Sequence, residues 1–380
     1  MSTRARDILA LALPLRTSRR RFGAALTALP SLGGLLALLG ADDSQAGGRR
    51  KRRKKRHKHG KTRRRDHRRR KQKKPAVCPA GQAACAGDCA DLQGDRANCG
   101  VCGVACGGGQ VCQSGVCSIP CGGAFCPAAT SLCVAGACVA CDVTCAAANH
   151  SCDSAALQAA LNTGGTVHVC PGVYTGTFTI PAATPTTVIG AGMDDDPVAN
   201  TILDARQAGR TLTLHASATL RGLRIRGGTG CGGAGLATLA EVALTVEQCA
   251  IVDNHEDSLS CTGGGVFLLG GTTTIRNSLV SQNSSGVNGG GIVTNSGDLI
   301  LRATEVRANT ALRGGGVYVN GGTFSLLDGS AITGNTATNV GGGIRTAGGE
   351  TVTIGADSSV TLNTPDNCSI GGTLIGVCGA

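Results

Sequence analysis

Aliphatic and polar residues alternate in short runs through the second half of the chain. Examples are Thr272–Val280 (TTTIRNSLV), Asp298–Val306 (DLILRATEV) and Gly322–Ile332 (GTFSLLDGSAI). A period of two predicts strands with one buried face, and these runs lack the spacing of an amphipathic helix. The runs themselves recur. Asn254, Asn283, Asn309, Asn335 and Asn363 are spaced 29, 26, 26 and 28 residues apart, and Gly triplets begin at Gly263, Gly289, Gly314 and Gly341. A fixed period in this range marks a solenoid, and a unit of short strands without helix predicts one coil of a parallel β-helix.

Aligning the units on Asn exposes columns. Three residues ahead stand Ile251, Val280, Val306, Ile332 and Val360; five ahead stand Cys249, Ser278, Thr304, Ser330 and Ser358. Both columns fall on the same face of a strand, one β-branched and one small, as a crowded interior requires. Asn accepts left-handed backbone and can hydrogen-bond its copy on the next coil, so a structural Asn ladder is expected at one corner. The Gly triplet is expected at the next bend, for positive φ or close approach. LRGLRIRGG (Leu220–Gly228) fits the same register, with Leu223 and Ile225 inward and Gly228 in the Asn column. Further upstream, Asp153–Ile180 reads as a short helix, a Gly turn and two strands.

The string LQAALNTGGTVHVCPGVY, followed by TVIGAG and TILDA, resembles the N-terminal cap and first coil of right-handed parallel β-helix proteins of the pectin-lyase-like superfamily. The resemblance covers roughly residues 150–380, and the GGGI and GGGV coils are similar to those of bacterial secreted members. It implies an all-β solenoid of about nine coils at ~26 residues each. It carries less about activity, because one fold hosts many functions.

Residues 1–46 read as an export signal: Ser18-Arg19-Arg20-Arg21-Phe22 is a twin-arginine pattern, Phe22–Ala41 is uncharged, and Ser44-Gln45-Ala46 offers small residues for cleavage. Residues 47–76 form a basic arm. Arg49–Lys74 holds 19 Lys and Arg against the single acid Asp66, whereas Pro75–Ala380 holds 11 Arg, no Lys and 20 acids, a balance of −9. The formal charge of +12 therefore describes the arm alone. Such a block repels itself and is expected to be disordered, binding polyanions through many salt-sensitive contacts. Export points to anionic envelope polymers or lipid headgroups as partners and away from nucleic acid.

Residues 77–148 form a cysteine-rich segment, with fourteen of the 21 cysteines between Cys78 and Cys145. That density is typical of disulfide-stapled exported modules. Cys78–Cys117 resembles the stigma-specific-protein-like module, whose CxDLxxDxxNCGxCGxxC core is matched at Cys89, Asp91, Leu92, Asp95, Asn98, Cys99, Gly100, Cys102, Gly103 and Cys106. The element GQVCQSGVC, with Cys112 and Cys117, recurs as TSLCVAGAC, with Cys133 and Cys138, so a degenerate second copy is expected over Cys121–Cys145, which also holds Cys126 and Cys141. Zinc at Cys99, Cys102, Cys138 and Cys141 is the alternative, disfavoured by spacing and by the absence of His. Among the rest, pairs are expected between Cys152 and Cys170, Cys231 and Cys261, and Cys368 and Cys378, leaving Cys249 buried and unreactive.

Residues 149–380 form the β-helix, and its columns can be searched for chemistry. Lyases on this fold need a base, often with Ca²⁺, and hydrolases need two close carboxylates. Outward positions four before the Asn hold Arg224, Ala250, Leu279, Glu305, Ala331 and Ser359; two before it stand Arg226, Val252, Ser281, Arg307, Thr333 and Thr361. No carboxylates pair there, and no catalytic residue is assigned. Arg224, Arg226 and Arg307 could hold an acidic sugar. Phe267, Tyr318 and Arg345, with Val293, form an outward stripe that could seat a ligand. The acidic runs Asp194–Asp196 and Asp253–Asp257 could offer oxygens to Ca²⁺ without matching a spaced calcium motif. His168 and His215 read as structural, without an acidic or hydroxyl partner. The expected function is an exported, envelope-associated, non-catalytic binding or structural module for polyanions or polysaccharides. The alternative is a polysaccharide lyase or glycoside hydrolase.

Overall fold

A computed structural model describes residues 77–145, 149–182, 184–256 and 258–379. The signal and the basic arm lie outside the described residues. From residue 149 onward the chain winds into a right-handed β-helix of about nine turns. Three long sheets are all parallel. Sheet A has nine strands, from Gly165–His168 to Thr373–Ile375, and sheet B nine, from Ser151–Cys152 to Ser359–Thr361. Sheet C has eight, from Phe178–Ile180 to Cys368–Ser369. A short sheet D of four strands lies between B and C on the middle coils.

The interior is filled by the residues that period two selects. On one coil Leu244, Val246, Ile251, Val266 and Leu268 are buried, and directly above them come Ile275, Val280 and Ile292. The expected column Ile251, Val280, Val306, Ile332 and Val360 is inside, as are Leu223 and Ile225. The first coil is closed by the helix Ser154–Thr163. Asp153 caps it by accepting from the Ala155 and Ala156 amides, and Leu157 and Leu161, one turn apart, lie on the core. The strand Phe178–Ile180 follows the two strands that the sequence pattern shows in this segment.

The Asn ladder is present and each rung is doubly tied. Asn283 Nδ2 and its backbone N–H both donate to Asn309 Oδ1 at 3.0 Å, while Nδ2 also donates to the Ile251 carbonyl at 3.0 Å. Asn309 repeats this with Asn335, and Asn335 with Asn363. The ladder begins at the Gly228 amide, which donates to Asn254, and ends on Asn367, which the repeat spacing does not reveal. One expectation is corrected. The left-handed residue is the one before each Asn, namely Asp253, Gln282, Ala308, Gly334 and Leu362, so the Asn side chain turns inward from a corner its neighbour makes.

The Gly triplet divides its work. Only the first Gly has positive φ. The third has no room for a side chain: a Cβ on Gly291 would lie 2.5 Å from the Gly316 carbonyl oxygen and 3.1 Å from Asn309 Nδ2. Asn and Gly thus recur together because the Gly of one coil packs on the ladder of the next.

Cutting one rung should be costly. Asn309→Ala leaves the Asn283 amide and Nδ2 without their acceptor in a dry site, with an expected loss of about 3 kcal/mol or more in denaturant unfolding. Gly291→Ala should cost about as much through overpacking. Gly329→Ala, at φ +72 with open space around it, should cost about 1–2 kcal/mol from backbone strain alone.

Candidate functional site

The arginines singled out by sequence meet carboxylates of the same chain. Arg224 and Arg226 project from the sheet B strand Leu223–Arg226 and share Asp195, which comes from the loop after the strand Thr186–Ile189. Arg224 Nη2 also lies 4.0 Å from Asp253 and Arg226 Nε 3.1 Å from Asp204. Arg307 Nε lies 3.2 Å from Glu305, two residues away on one strand. The same columns hold buried residues, Ala250, Val252 and Ser281. Sheet A repeats the pattern at its edge, where Arg276 pairs with Glu247 at 2.9 Å and Arg302 with Asp328 at 2.6 Å.

The two acidic runs are thereby accounted for in part. Asp195 serves the arginines. Asp196 accepts from the Val198 amide and from the Gly108 amide of the cysteine-rich segment, both at 3.0 Å. Asn254 belongs to the ladder and Glu256 is buried, accepting from the Ser258 amide at 2.9 Å. Asp257 lies outside the described residues. His168 is not alone, as the sequence had implied: Asp142 Oδ2 accepts from its backbone N–H at 2.7 Å and lies 3.2 Å from Nδ1. This partner precedes it by 26 residues in the segment joining cysteine module to β-helix.

On sheet C, Phe267, Val293, Tyr318 and Arg345 stack in one register column, as the alternation implied, against inward Val266, Ile292, Val317 and Ile344. Val293 is nonetheless buried between the two rings' positions, and Arg345 Nη1 donates to Ser369. The stripe is a half-buried seam rather than an open platform. Arg210, which no column marked, clamps the Cys231–Gly233 loop through three carbonyl bonds, and burial lowers its affinity for a proton.

Ten disulfides use every cysteine but Cys249. The first module is held by Cys78–Cys89, Cys85–Cys102, Cys99–Cys112 and Cys106–Cys117. The second copy keeps the last two of these as Cys121–Cys133 and Cys126–Cys138. Cys231–Cys261 and Cys368–Cys378 pair as expected. Cys152–Cys170 does not form. Cys152 bonds Cys145 and Cys170 bonds Cys141, so these two bridges staple the cysteine-rich segment to the first coil. The four sulfurs weighed for zinc are all in disulfides.

The cysteine-rich segment also docks through Gln110, whose Nε2 donates to the Val198 carbonyl at 2.7 Å. Near this junction lies a polar cavity of about 660 Å³, lined among others by Val134, Asp194, Asn200, Arg221, Gln248 and Asn277.

The fold and its staples are matched by two family models. Residues 198–364 match the right handed beta helix region. The chain has the right-handed β-helix fold. Residues 61–120 of the β-helix protein match the Stigma-specific STIG1-like protein family, beginning within the basic arm. No curated protein and no solved structure matches it. Ten disulfides and the stigma-specific-like module mark the β-helix protein as extracellular.

Cys249 gives a direct check of the interior. Burial pushes its thiol up to about 12 from 9.0, while Sγ bonds the Glu247 carbonyl at 3.2 Å. Because the folded value is raised, the stabilisation holds below pH 9.0 and is lost as pH climbs towards 12. At pH 8 an aromatic disulfide reagent should find no reactive thiol until denaturant unfolds the chain, and one thereafter. Rapid reaction of the folded protein would place Cys249 outside the core.

Proposed function

We propose that this extracellular β-helix protein is a non-catalytic binding module that docks on anionic envelope polymers through Arg49–Lys74. The observation that carries the proposal is the sorting of charge. Arg224, Arg226 and Arg307, the candidates on the β-helix, each meet a carboxylate, whereas the 19 basic residues of Arg49–Lys74 face a single acid in their own segment. The body beyond it carries −9 and is repelled by the polymers that the arm attracts.

The polar cavity beside the cysteine-rich segment supports a seat for a polysaccharide chain, since Arg221, Gln248 and Asn277 bring guanidinium and amide groups to its lining. That same cavity supports the second reading, a polysaccharide lyase or hydrolase. Asp194 and Arg221 both line it, as an acid–base function would need, although hydrolysis uses two carboxylates.

The readings separate in one experiment. The chain from Gly47 onward, with and without Arg49–Lys74, is passed over acidic and neutral polysaccharides, and unsaturated ends and reducing ends are assayed with and without Ca²⁺. Retention on acidic polymer that falls steeply with salt and vanishes with the arm, without new chain ends, is expected. Arg221→Ala with Gln248→Ala should weaken retention on neutral polysaccharide and leave acidic retention intact. Calcium-dependent unsaturated product would establish a lyase instead.

A further inference from the structure

A fold held together by asparagine has to keep that residue chemically intact. An Asn side chain is attacked most readily when Gly follows, because Gly has no Cβ to shield its backbone nitrogen from the neighbouring carboxamide. The ladder avoids that sequence: its five asparagines are buried and precede His255, Ser284, Thr310, Thr336 and Thr364. Two Asn-Gly pairs do occur, Asn288-Gly289 and Asn320-Gly321. Sequence alone gives them the same reactivity.

The structure separates them. At the first pair the nitrogen that would attack is occupied, since the Gly289 amide donates to the Arg313 carbonyl at 2.9 Å. The Asn288 carbonyl in turn accepts from the Gly263 amide at 2.8 Å. Gly289 is buried, and Asn288 Oδ1 lies out of reach of water. Ring closure there would pull the Gly triplet out of its stack on the neighbouring coils.

Asn320 stands at the bend between the sheet C strand Val317–Val319 and the sheet A strand Thr323–Leu327. It is exposed, and the Gly321 amide has no hydrogen-bond partner among the described residues. One bond holds its side chain, from Nδ2 to Asn295 Oδ1 at 2.8 Å, on the open surface. Solvent thus reaches both the carboxamide and the nitrogen that would attack it.

We propose that Asn320 is a site of spontaneous covalent modification. The Gly321 nitrogen attacks the side-chain carbonyl carbon of Asn320 and gives up its proton to solvent. A new C–N bond closes a five-membered imide as the bond to Nδ2 breaks, and Nδ2 takes up a proton and leaves as ammonia. Water then opens the imide at either carbonyl, which yields an aspartyl or an isoaspartyl residue. The net reaction consumes one water and releases one ammonia. The product replaces the donor that faced Asn295 with a carboxylate and adds a negative charge to a body already at −9. The isoaspartyl form also lengthens the main chain where coils touch closely: a Cβ on Gly322 would overlap the Gly297 carbonyl oxygen.

The test uses the disulfide-intact chain from Gly47 onward, aged at mildly alkaline pH and then digested with trypsin under mildly acidic conditions. The two sites fall in separate peptides, Asn277–Arg302 and Gly314–Arg345. Exchange of nitrogen for oxygen is read from the mass of each peptide, and isoaspartyl content from electron-transfer fragmentation. In the folded chain position 320 should convert at least about tenfold faster than position 288, the factor that about 1.4 kcal/mol of lost hydrogen bonding imposes on a rate. In the reduced, denatured chain the two should convert at similar rates. Asn320→Gln should abolish the conversion in Gly314–Arg345 while Cys249 stays protected. Equal rates at the two sites of the folded chain would overturn the proposal. So would an Asn320 that stays intact in the folded chain while both sites convert on unfolding.

Discussion

Asn283, Asn309, Asn335 and Asn363 each present one carbonyl oxygen to two donors on the preceding coil, the side-chain amide and the backbone N–H of the ladder Asn there. The corner closes because the residue before each Asn takes a left-handed turn and the third glycine of each triplet sits against an Asn amide. Coils can then differ in length only where the loops leave this frame, and the unequal spacing of 29, 26, 26 and 28 residues is absorbed there. A slip by one residue would turn the aliphatic column outward and strand buried amide groups, so register is fixed by two independent penalties. The stacking on sheet C and the juxtaposition of charges on sheet B both follow from that registration.

Charge is arranged on two scales. On the β-helix, Arg224, Arg226, Arg276, Arg302 and Arg307 meet carboxylates across adjacent coils or along one strand, so these outward positions are neutralised locally. Exposed pairs of this kind add little stability. Their larger effect is to remove local cationic patches from a body that is net acidic. Along the chain, by contrast, 19 of the 36 Lys and Arg are gathered into Arg49–Lys74.

Much of the fold was legible because it depends on periodicity. Period two placed Val280, Val306 and Ile332 inside, and the Asn spacing located the corner. Asn367 was hidden because it follows Asn363 by four residues and substitutes for a missing coil. The partners of Arg224 and Arg226 were hidden for another reason: Asp195 reaches them from a loop about 30 residues upstream, and loop paths have no period. Cys152 and Cys170 look like natural partners in sequence, but Cys141 and Cys145 are brought to the same cap by the docked cysteine-rich segment.

Native-state hydrogen exchange at the backbone amides of Asn254, Asn283, Asn309 and Asn335 measures the corner directly. These amides bond side-chain oxygens rather than a strand partner. If the ladder holds the coils in register, they should be as protected as the core amides of Ile251, Val280 and Val306 and open only with the whole domain. Exchange at the rate of surface turns, with the strands still protected, would show that aliphatic stacking alone maintains the register and that the ladder is incidental.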